Sequence, residues 1–434
     1  MQPGGRIAAA IEVLEDILDR HRPVALALAD WGKAHRFAGS GDRNAIGGLV
    51  YDALRRKSSI SWRMESDAPR ALALGVAAPA LGLATERIAE LCDGSRFAPE
   101  PLTEVEMAGL TRSLDAAPDF VKADVPEWLW PSFERTFAGR AVAEGQAMAR
   151  RAPADLRVNA LKATRDKVAK ALSDFAPAET PYSPVGLRVA PPSGPQRTPN
   201  LEAEAAFQAG WFEIQDEGSQ IAALLTGAKP GLQVLDLCAG AGGKTLALAA
   251  AMQNKGQIYA YDEDRNRLKP IFERLRRAGV RNVQVLRAGD RAGLEALGPR
   301  FDAVLIDAPC TGTGTWRRRP DIKWRLKPQS VAERQKEQRA VLDVAARLVK
   351  PGGRLAYVTC SVLPEENTGQ VARFLSEEGR FRVVPPAEAW AGAMGGGAPP
   401  ESADGSSQTL LLTPATHGTD GFFVALLQAS EERD

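Results

Sequence analysis

At 434 residues, with 44% hydrophobic and 25% charged residues, the chain has the composition of a globular protein of two or three domains rather than of a disordered or membrane one. Its 55 basic and 54 acidic residues leave a formal charge of +1, so affinity for nucleic acid has to come from local basic patches. The longest apolar run, Ala71 to Thr85, is too short for a bilayer and is broken by Pro79, so it reads as core or helix-hairpin material and no membrane partner is expected.

Residues 1–140 carry long amphipathic patterns, such as Ile7 to Leu18 and Ala45 to Leu54, and predict a helical domain. Acids interleave with apolar residues from Ile11 to Arg20, unlike a secretory signal, so a cytoplasmic location is the default. Over 141–210 the texture changes to short runs, RVNAL and GLRVA, separated by Pro, Ser and Gly clusters, which predicts a small α+β connector with its loop-rich part at 176–200. From 211 to 434 short apolar runs alternate with helical periods, the pattern of an α/β domain with a mostly parallel sheet. The runs are QVLDLC, QIYAYD, VQVLRAGD, FDAVLID and RLAYVTC, and Leu268, Ile271, Phe272 and Leu275 are expected to share one buried helix face. A closing hairpin is predicted from TLLLTP and GFFVALLQ, and a flexible surface loop from Pro385 to Ser407.

Four cysteines, Cys92, Cys238, Cys310 and Cys360, lie far apart with no CxxC and no nearby histidine, which argues against a metal site and against a disulfide framework. Three basic clusters stand out: Arg55, Arg56, Lys57 and Arg63; Arg274, Arg276, Arg277 and Arg281; and Arg317, Arg318, Arg319, Lys323 and Arg325. Each reads either as a solvated face or as an RNA contact. Trp316 and Trp324 flank the third and favour base stacking there.

The first strand runs into LDLCAGAGGKT, where Gly240, Gly242 and Gly243 open a helix. Glycines let the backbone approach a ligand and the helix end offers free N–H groups, although a plain tight turn has the same signature. Asp262 follows at the end of the next strand, about twenty residues on, where a doubly wound fold places an acid on ribose hydroxyls. A P-loop would need another glycine where Cys238 stands, so the phosphate-binding reading ranks low. Asp290 is open to two readings, an acceptor for an adenine amino group or a strand-end cap. Cys310, in DAPC, and Cys360, in TCS, end the fourth and fifth runs, and in an open sheet both thiols face the crevice that holds the glycines.

RVNALKATRDKV, FEIQDEGSQ, VLDLCAGAGGKT, AYDEDRNRL, FDAVLIDAPCTGTGTWRRRPDIKWR and YVTCSVLPEENTGQV occur in the order found in the Sun or RsmB group of RNA cytosine-5 methyltransferases, which the chain resembles over most of its length. GSGDRNAIGGLVYDALRR resembles, more faintly, the NusB-like RNA-binding domain of RsmB proteins. The usual CAAPGGK is CAGAGGK here, with Ala241 in place of proline. The resemblance implies a Rossmann-like class I methyltransferase domain with a seven-stranded sheet, S-adenosylmethionine as cofactor and RNA, most often 16S ribosomal RNA, as substrate. It implies that Cys238, Ala239, Gly240, Ala241, Gly242, Gly243, Lys244, Asp262, Asp290 and Asp307 surround the cofactor. Cys360 is then the nucleophile that adds to cytosine carbon 6, Cys310 assists product release, Asp307 steers the pyrimidine edge or the methyl end, and Lys244 adds positive charge. Pro364, Glu365 and Glu366 are expected to form the first turn of a helix whose amino terminus faces the Cys360 thiolate. Thr359 and Ser361 either fix the nucleophile loop or are ordinary turn residues, and Arg319, Pro320 and Asp321 resemble an RNA-facing segment. Three competing expectations are a transfer RNA substrate, a DNA cytosine methyltransferase built on Pro309 and Cys310, and an RNA-binding assembly factor without activity, which would need neither thiol.

Overall fold

The computed structural model describes residues 1–191, 194 and 199–431. Part of the loop expected at 176–200 therefore lies outside the described residues. The chain divides into two compact units, one of Met1–Ala152, Pro191–Pro199 and Thr315–Leu326, the other of Pro153–Ala190, Asn200–Gly314 and Lys327–Asp434.

The first unit is helical, as its periodicity predicts. The helix Pro69–Leu81 is apolar on nearly every side and sits among the helices Pro3–Asp19, Ser40–Arg55 and Lys57–Met64, with Ile7, Leu14, Ile46, Leu49 and Leu72 fully buried. Pro79 does not break this helix. The N–H it lacks would have bonded to the carbonyl of Gly75, and Arg63 Nη2 donates to that oxygen instead, at 3.1 Å. Arg63 of the first basic cluster is thereby structural.

The segment Thr315–Leu326 corrects the reading of the third cluster. Trp316 is 1% exposed and stacks on Phe133 with ring centroids 5.6 Å apart. Trp324 donates from Nε1 to the Leu54 carbonyl at 2.6 Å, and Arg55 donates from Nε to the Arg317 carbonyl at 2.7 Å. Lys323 is buried and donates to the carbonyls of Arg55 and Asp124; burial lowers its pKa to about 8. Of the tryptophans expected to stack on bases, Trp316 is a core residue of the helical unit and Trp324 packs half-buried against that core, because aromatic burial outweighs their basic neighbours.

The second unit contains two sheets. A small antiparallel one is formed by β1 (Ala154–Val158), β2 (Ala178–Glu179), β3 (Gly186–Val189) and β4 (Phe212–Ile214), in the order β2-β3-β1-β4. The expected boundary at 210 would cut through it, since β4 pairs with β1 in the register Leu156↔Ile214. The main sheet holds β5 (Gln233–Asp236), β6 (Gln257–Ala260), β7 (Val283–Val285), β8 (Phe301–Asp307), β9 (Val349–Thr359), β10 (Phe381–Val384), β11 (Leu410–Leu412) and β12 (Phe422–Ala429). Its order is β10-β12-β9-β8-β5-β6-β7, with β11 alongside β12. From β9 across to β7 every pair is parallel, and β12 runs antiparallel to β9, β10 and β11.

The connection leaves β5 toward β6 on one side and returns through β8 on the other. That reversal opens a crevice beyond the carboxyl ends of β5 and β8. The five predicted runs are β5 to β9, and the predicted closing hairpin is β11 and β12. Two expectations fail. Pro385 to Ser407 is not a loose loop: it carries the helix Pro386–Met394, whose Trp390 and Met394 enter the core, and Ala403 is buried. Phe272 is 61% exposed while Leu268 and Ile271 are buried, because the helix Ile271–Ala278 lies over the sheet's outer edge at β7 and only part of its apolar stripe is covered.

Candidate active site

The loop between β5 and the helix Gly243–Ala251 bends so sharply that Gly240 and Gly242 take φ of +50° and +82°. A Cβ at Gly242 would lie 2.5 Å from Ile271 Cγ1, so this position requires glycine on two counts. The loop is anchored by backbone: Ala239 N–H donates to the Tyr261 carbonyl at 2.8 Å. Arg274 donates to the Ala241 carbonyl at 2.9 Å, and Arg274 and Arg277 both pair with Glu213 of β4. Two arginines of the second basic cluster are therefore scaffold.

Asp262, 3% exposed, accepts from Gly240 N–H through Oδ2 and from Asp264 N–H through Oδ1, both at 2.9 Å. Each oxygen keeps a lone pair for a further donor. Beneath the loop, burial pushes the Asp236 carboxyl up to about 7, with Thr245 Oγ1 donating to it at 2.6 Å, and desolvation likewise pushes the Cys238 thiol up. A cleft of about 500 Å³ runs from Cys238, Asp262 and Arg267 to Pro309, bounded on its far side by Arg334 and Val341 of the long helix Pro328–Leu348. Asp290 is exposed and caps the helix Arg291–Glu295, accepting from Gly293 N–H at 2.9 Å.

Lys244 is 6% exposed, lies 5.2 Å from the Phe422 ring centroid, and donates to Asp307 Oδ2 at 2.7 Å where β8 ends. Beyond it, Cys310 Sγ and Cys360 Sγ are 3.3 Å apart, a contact distance well outside a disulfide bond. The hydrogen bond with Cys360, followed by burial, pushes the Cys310 thiol well above its ordinary range.

A network absent from the sequence reading surrounds this pair. Thr359 Oγ1 donates to Asn367 Oδ1 at 2.6 Å, Asn367 Nδ2 to the Ser361 carbonyl at 2.9 Å, and Thr313 Oγ1 lies 3.0 Å from Ser361 Oγ. Thr359 and Ser361 thus fix the loop that carries Cys360. Glu366, fully buried, accepts from Thr311 and from Gln338. The expected helix start is corrected: Pro364–Asn367 form a turn and the helix begins at Thr368, which lets Glu366 point inward. Sequence reasoning missed Asn367, Gln338 and Thr313 and gave Glu366 only a place in a helix start; the PEEN run near TCS was the one signal for Glu366 and Asn367.

Among the described residues no group of three His, Cys, Asp or Glu side chains is placed to hold a metal ion, and no helix is long and apolar enough to cross a membrane. An open sheet in this order, with a glycine loop after its first strand and an acid ending the second, has the Rossmann-like methyltransferase architecture. Residues 223–428 match the family described as 16S rRNA methyltransferase RsmB/F. The chain is 34% identical over 309 residues to a probable ribosomal RNA small subunit methyltransferase B of Synechocystis, with 70% of this chain and 66% of the relative aligned. It is 36% identical to the ribosomal RNA small subunit methyltransferase B of Citrobacter koseri over 58% of this chain and 57% of the relative. The match thus spans under two thirds of these relatives' lengths. The crystal structure of the protein PH0851 superposes with a TM-score of 0.73 at 28% identity, covering 98% of this chain and 99% of that one. The chain carries a methyltransferase domain of the RsmB/F family.

Proposed function

We propose that the chain methylates carbon 5 of a cytosine in small-subunit ribosomal RNA, with S-adenosylmethionine as methyl donor and Cys360 as nucleophile. The observation that carries this reading is the pair of thiols 3.3 Å apart at the ends of adjacent parallel strands. A non-catalytic RNA binder has no use for two cysteines in contact beside a cofactor crevice.

The residues present fit the donor. Gly240 and Gly242 keep the loop low enough for close approach, Asp262 retains lone pairs for two ribose hydroxyls, and Asp290 is assigned the adenine amino group. S-adenosylmethionine held there supplies an electrophilic methyl group. Carbon 5 of cytosine is too weak a nucleophile on its own. Addition of the Cys360 thiolate to carbon 6 builds enamine character at carbon 5 and makes it reactive toward that methyl. Cys310, whose proton is held tightly, stays a thiol and donates toward the Cys360 sulfur before attack. After methylation the carbon 5 proton passes to water, its electron pair restores the carbon 5–carbon 6 double bond, and Cys360 leaves as a thiolate that the Cys310 thiol stabilises by donating to it again. Lys244 and Asp307 place a charged hydrogen-bonded pair beside the ring. An unpaired or flipped-out base is required, and RNA selection is assigned to the helical unit, whose sequence resembles a NusB-like domain.

Bisulfite sequencing of ribosomal RNA from cells with and without the protein should find one small-subunit cytosine that loses protection in its absence. With that RNA, Cys360→Ala should give neither methylation nor a covalent complex on a denaturing gel, whereas Cys310→Ala should accumulate a denaturant-resistant protein–RNA adduct. A protected cytosine in transfer RNA alone would move the substrate, and an adduct persisting in Cys360→Ala but absent in Cys310→Ala would reverse the two roles.

A further inference from the structure

The two thiols belong to loops from different strands, and nothing in β8 or β9 alone sets the gap between them. Thr311 directly follows Cys310, and its N–H donates to Glu366 Oε1 at 2.8 Å while its hydroxyl donates to Oε2. Glu366 sits six residues beyond Cys360 in the other loop. Gln338 of the long helix donates from Nε2 both to Oε1, at 3.1 Å, and to the Pro309 carbonyl, at 2.9 Å, closing a ring of contacts around Cys310. The Glu366 carbonyl accepts from Tyr357 Oη at 2.7 Å, which ties the same residue to β9. Burial raises the Glu366 carboxyl, and the hydrogen bonds from Ser361, Thr311 and Gln338 oppose that shift. A buried acid surrounded by donors is expensive to keep unless its geometry is used.

We propose that Glu366 is the positioning residue of the thiol pair: its carboxylate clamps the loop of Cys310 to the loop of Cys360 and holds the two sulfurs at the separation that lets one assist the other. This rests on the function proposed above and adds a residue to it. Glu366 touches no substrate. Its effect passes through Thr311 to the sulfur of Cys310, so the release step, which needs both thiols, depends on it more than cofactor binding does.

The gap between the sulfurs can be read without RNA or a methyl donor. Mild oxidation with diamide joins neighbouring thiols, each losing a proton and an electron to the diazene, which becomes the hydrazine; peptide mapping identifies the Cys310–Cys360 bond apart from Cys92 and Cys238. Glu366→Ala removes the acceptor for three donors and should close this bond at least about tenfold more slowly than wild type at temperatures well below unfolding, with kcat for methylation falling about 100-fold and the KM for S-adenosylmethionine within about twofold. Glu366→Gln keeps an acceptor for the Thr311 N–H and can donate to its hydroxyl, so it should restore both rates to within about threefold. Closure at the wild-type rate in Glu366→Ala, or no rescue by Glu366→Gln, would overturn the role. If Glu366→Ala does not fold, Thr311→Val decides: about threefold slower closure supports the clamp and unchanged closure overturns it. Failure of the methylation reading shows separately, as a wild-type protein that closes the bond yet modifies no RNA.

Discussion

Around the glycine loop the polar contacts run largely through backbone: Gly240 and Asp264 N–H groups on Asp262, Ala239 on the Tyr261 carbonyl, and an arginine on the Ala241 carbonyl. Around the cysteines they run largely through side chains that are almost fully buried, Thr359, Ser361, Glu366, Asn367 and Gln338. The first half offers its hydrogen-bonding capacity to a ligand that arrives and leaves. The second spends its own internally to hold two sulfurs in place. Removing a side chain should therefore cost ligand affinity in one half and folding stability in the other.

The largest effect expected from breaking this contrast belongs to Asn367. Its amide accepts from Thr359 and donates to the Ser361 carbonyl on either side of Cys360, where water cannot substitute. Asn367→Ala strands one donor and one acceptor in the core and should lower stability by about 3 kcal/mol, read as a fall in the denaturant midpoint. An unchanged midpoint would mean that the strands alone hold the loop of Cys360.

The same contrast explains which parts could be read from the sequence. A backbone that needs φ of +82° with no room for a Cβ demands glycine, so the loop at 240–243 shows in a short motif, and the strand runs around it follow from alternation and spacing. The clamp does not show, because Thr311 and Glu366 are 55 residues apart and only the folded sheet makes them neighbours. Local pattern even misleads there: proline followed by two glutamates is a good helix start, yet the carboxylate of Glu366 is drawn inward by three donors and the helix is delayed to Thr368. Trp316 and Trp324 mislead in the same way, since arginines beside aromatics look like an RNA surface until Phe133 and the Leu54 carbonyl are found to cover them. Trp390, set before a glycine-rich run, gave no sign in the sequence of reaching the core.

In the glycine half the expected loss is smaller in stability and larger in affinity. Asp262→Ala should weaken S-adenosylmethionine by roughly thirtyfold, about 2 kcal/mol for hydrogen bonds to a charged acceptor, by titration calorimetry. Some destabilisation should accompany it, because Gly240 and Asp264 N–H groups lose their acceptor. Affinity that stays at the wild-type value would remove Asp262 from the cofactor site and leave it as a loop brace.

Asp290 carries the smallest effect and sharpens the comparison most, since it serves both purposes at once. One carboxylate oxygen accepts from Gly293 N–H and caps a short helix, while the side chain as a whole is exposed. Loss of the cap in Asp290→Ala should cost about 1 kcal/mol of stability whatever the ligand does. If the remaining lone pairs accept the adenine amino group, the variant should also bind S-adenosylmethionine about fivefold more weakly, equivalent to about 1 kcal/mol. The two effects separate with an analogue whose adenine amino group is replaced by hydrogen. Wild type should bind this analogue about fivefold less well than S-adenosylmethionine, and Asp290→Ala should bind the two alike, because the group each partner would have contacted is already gone. An equal loss for both ligands on mutation would mean that Asp290 acts only through the helix it caps, and the adenine acceptor would then have to be sought among the residues that line the cleft.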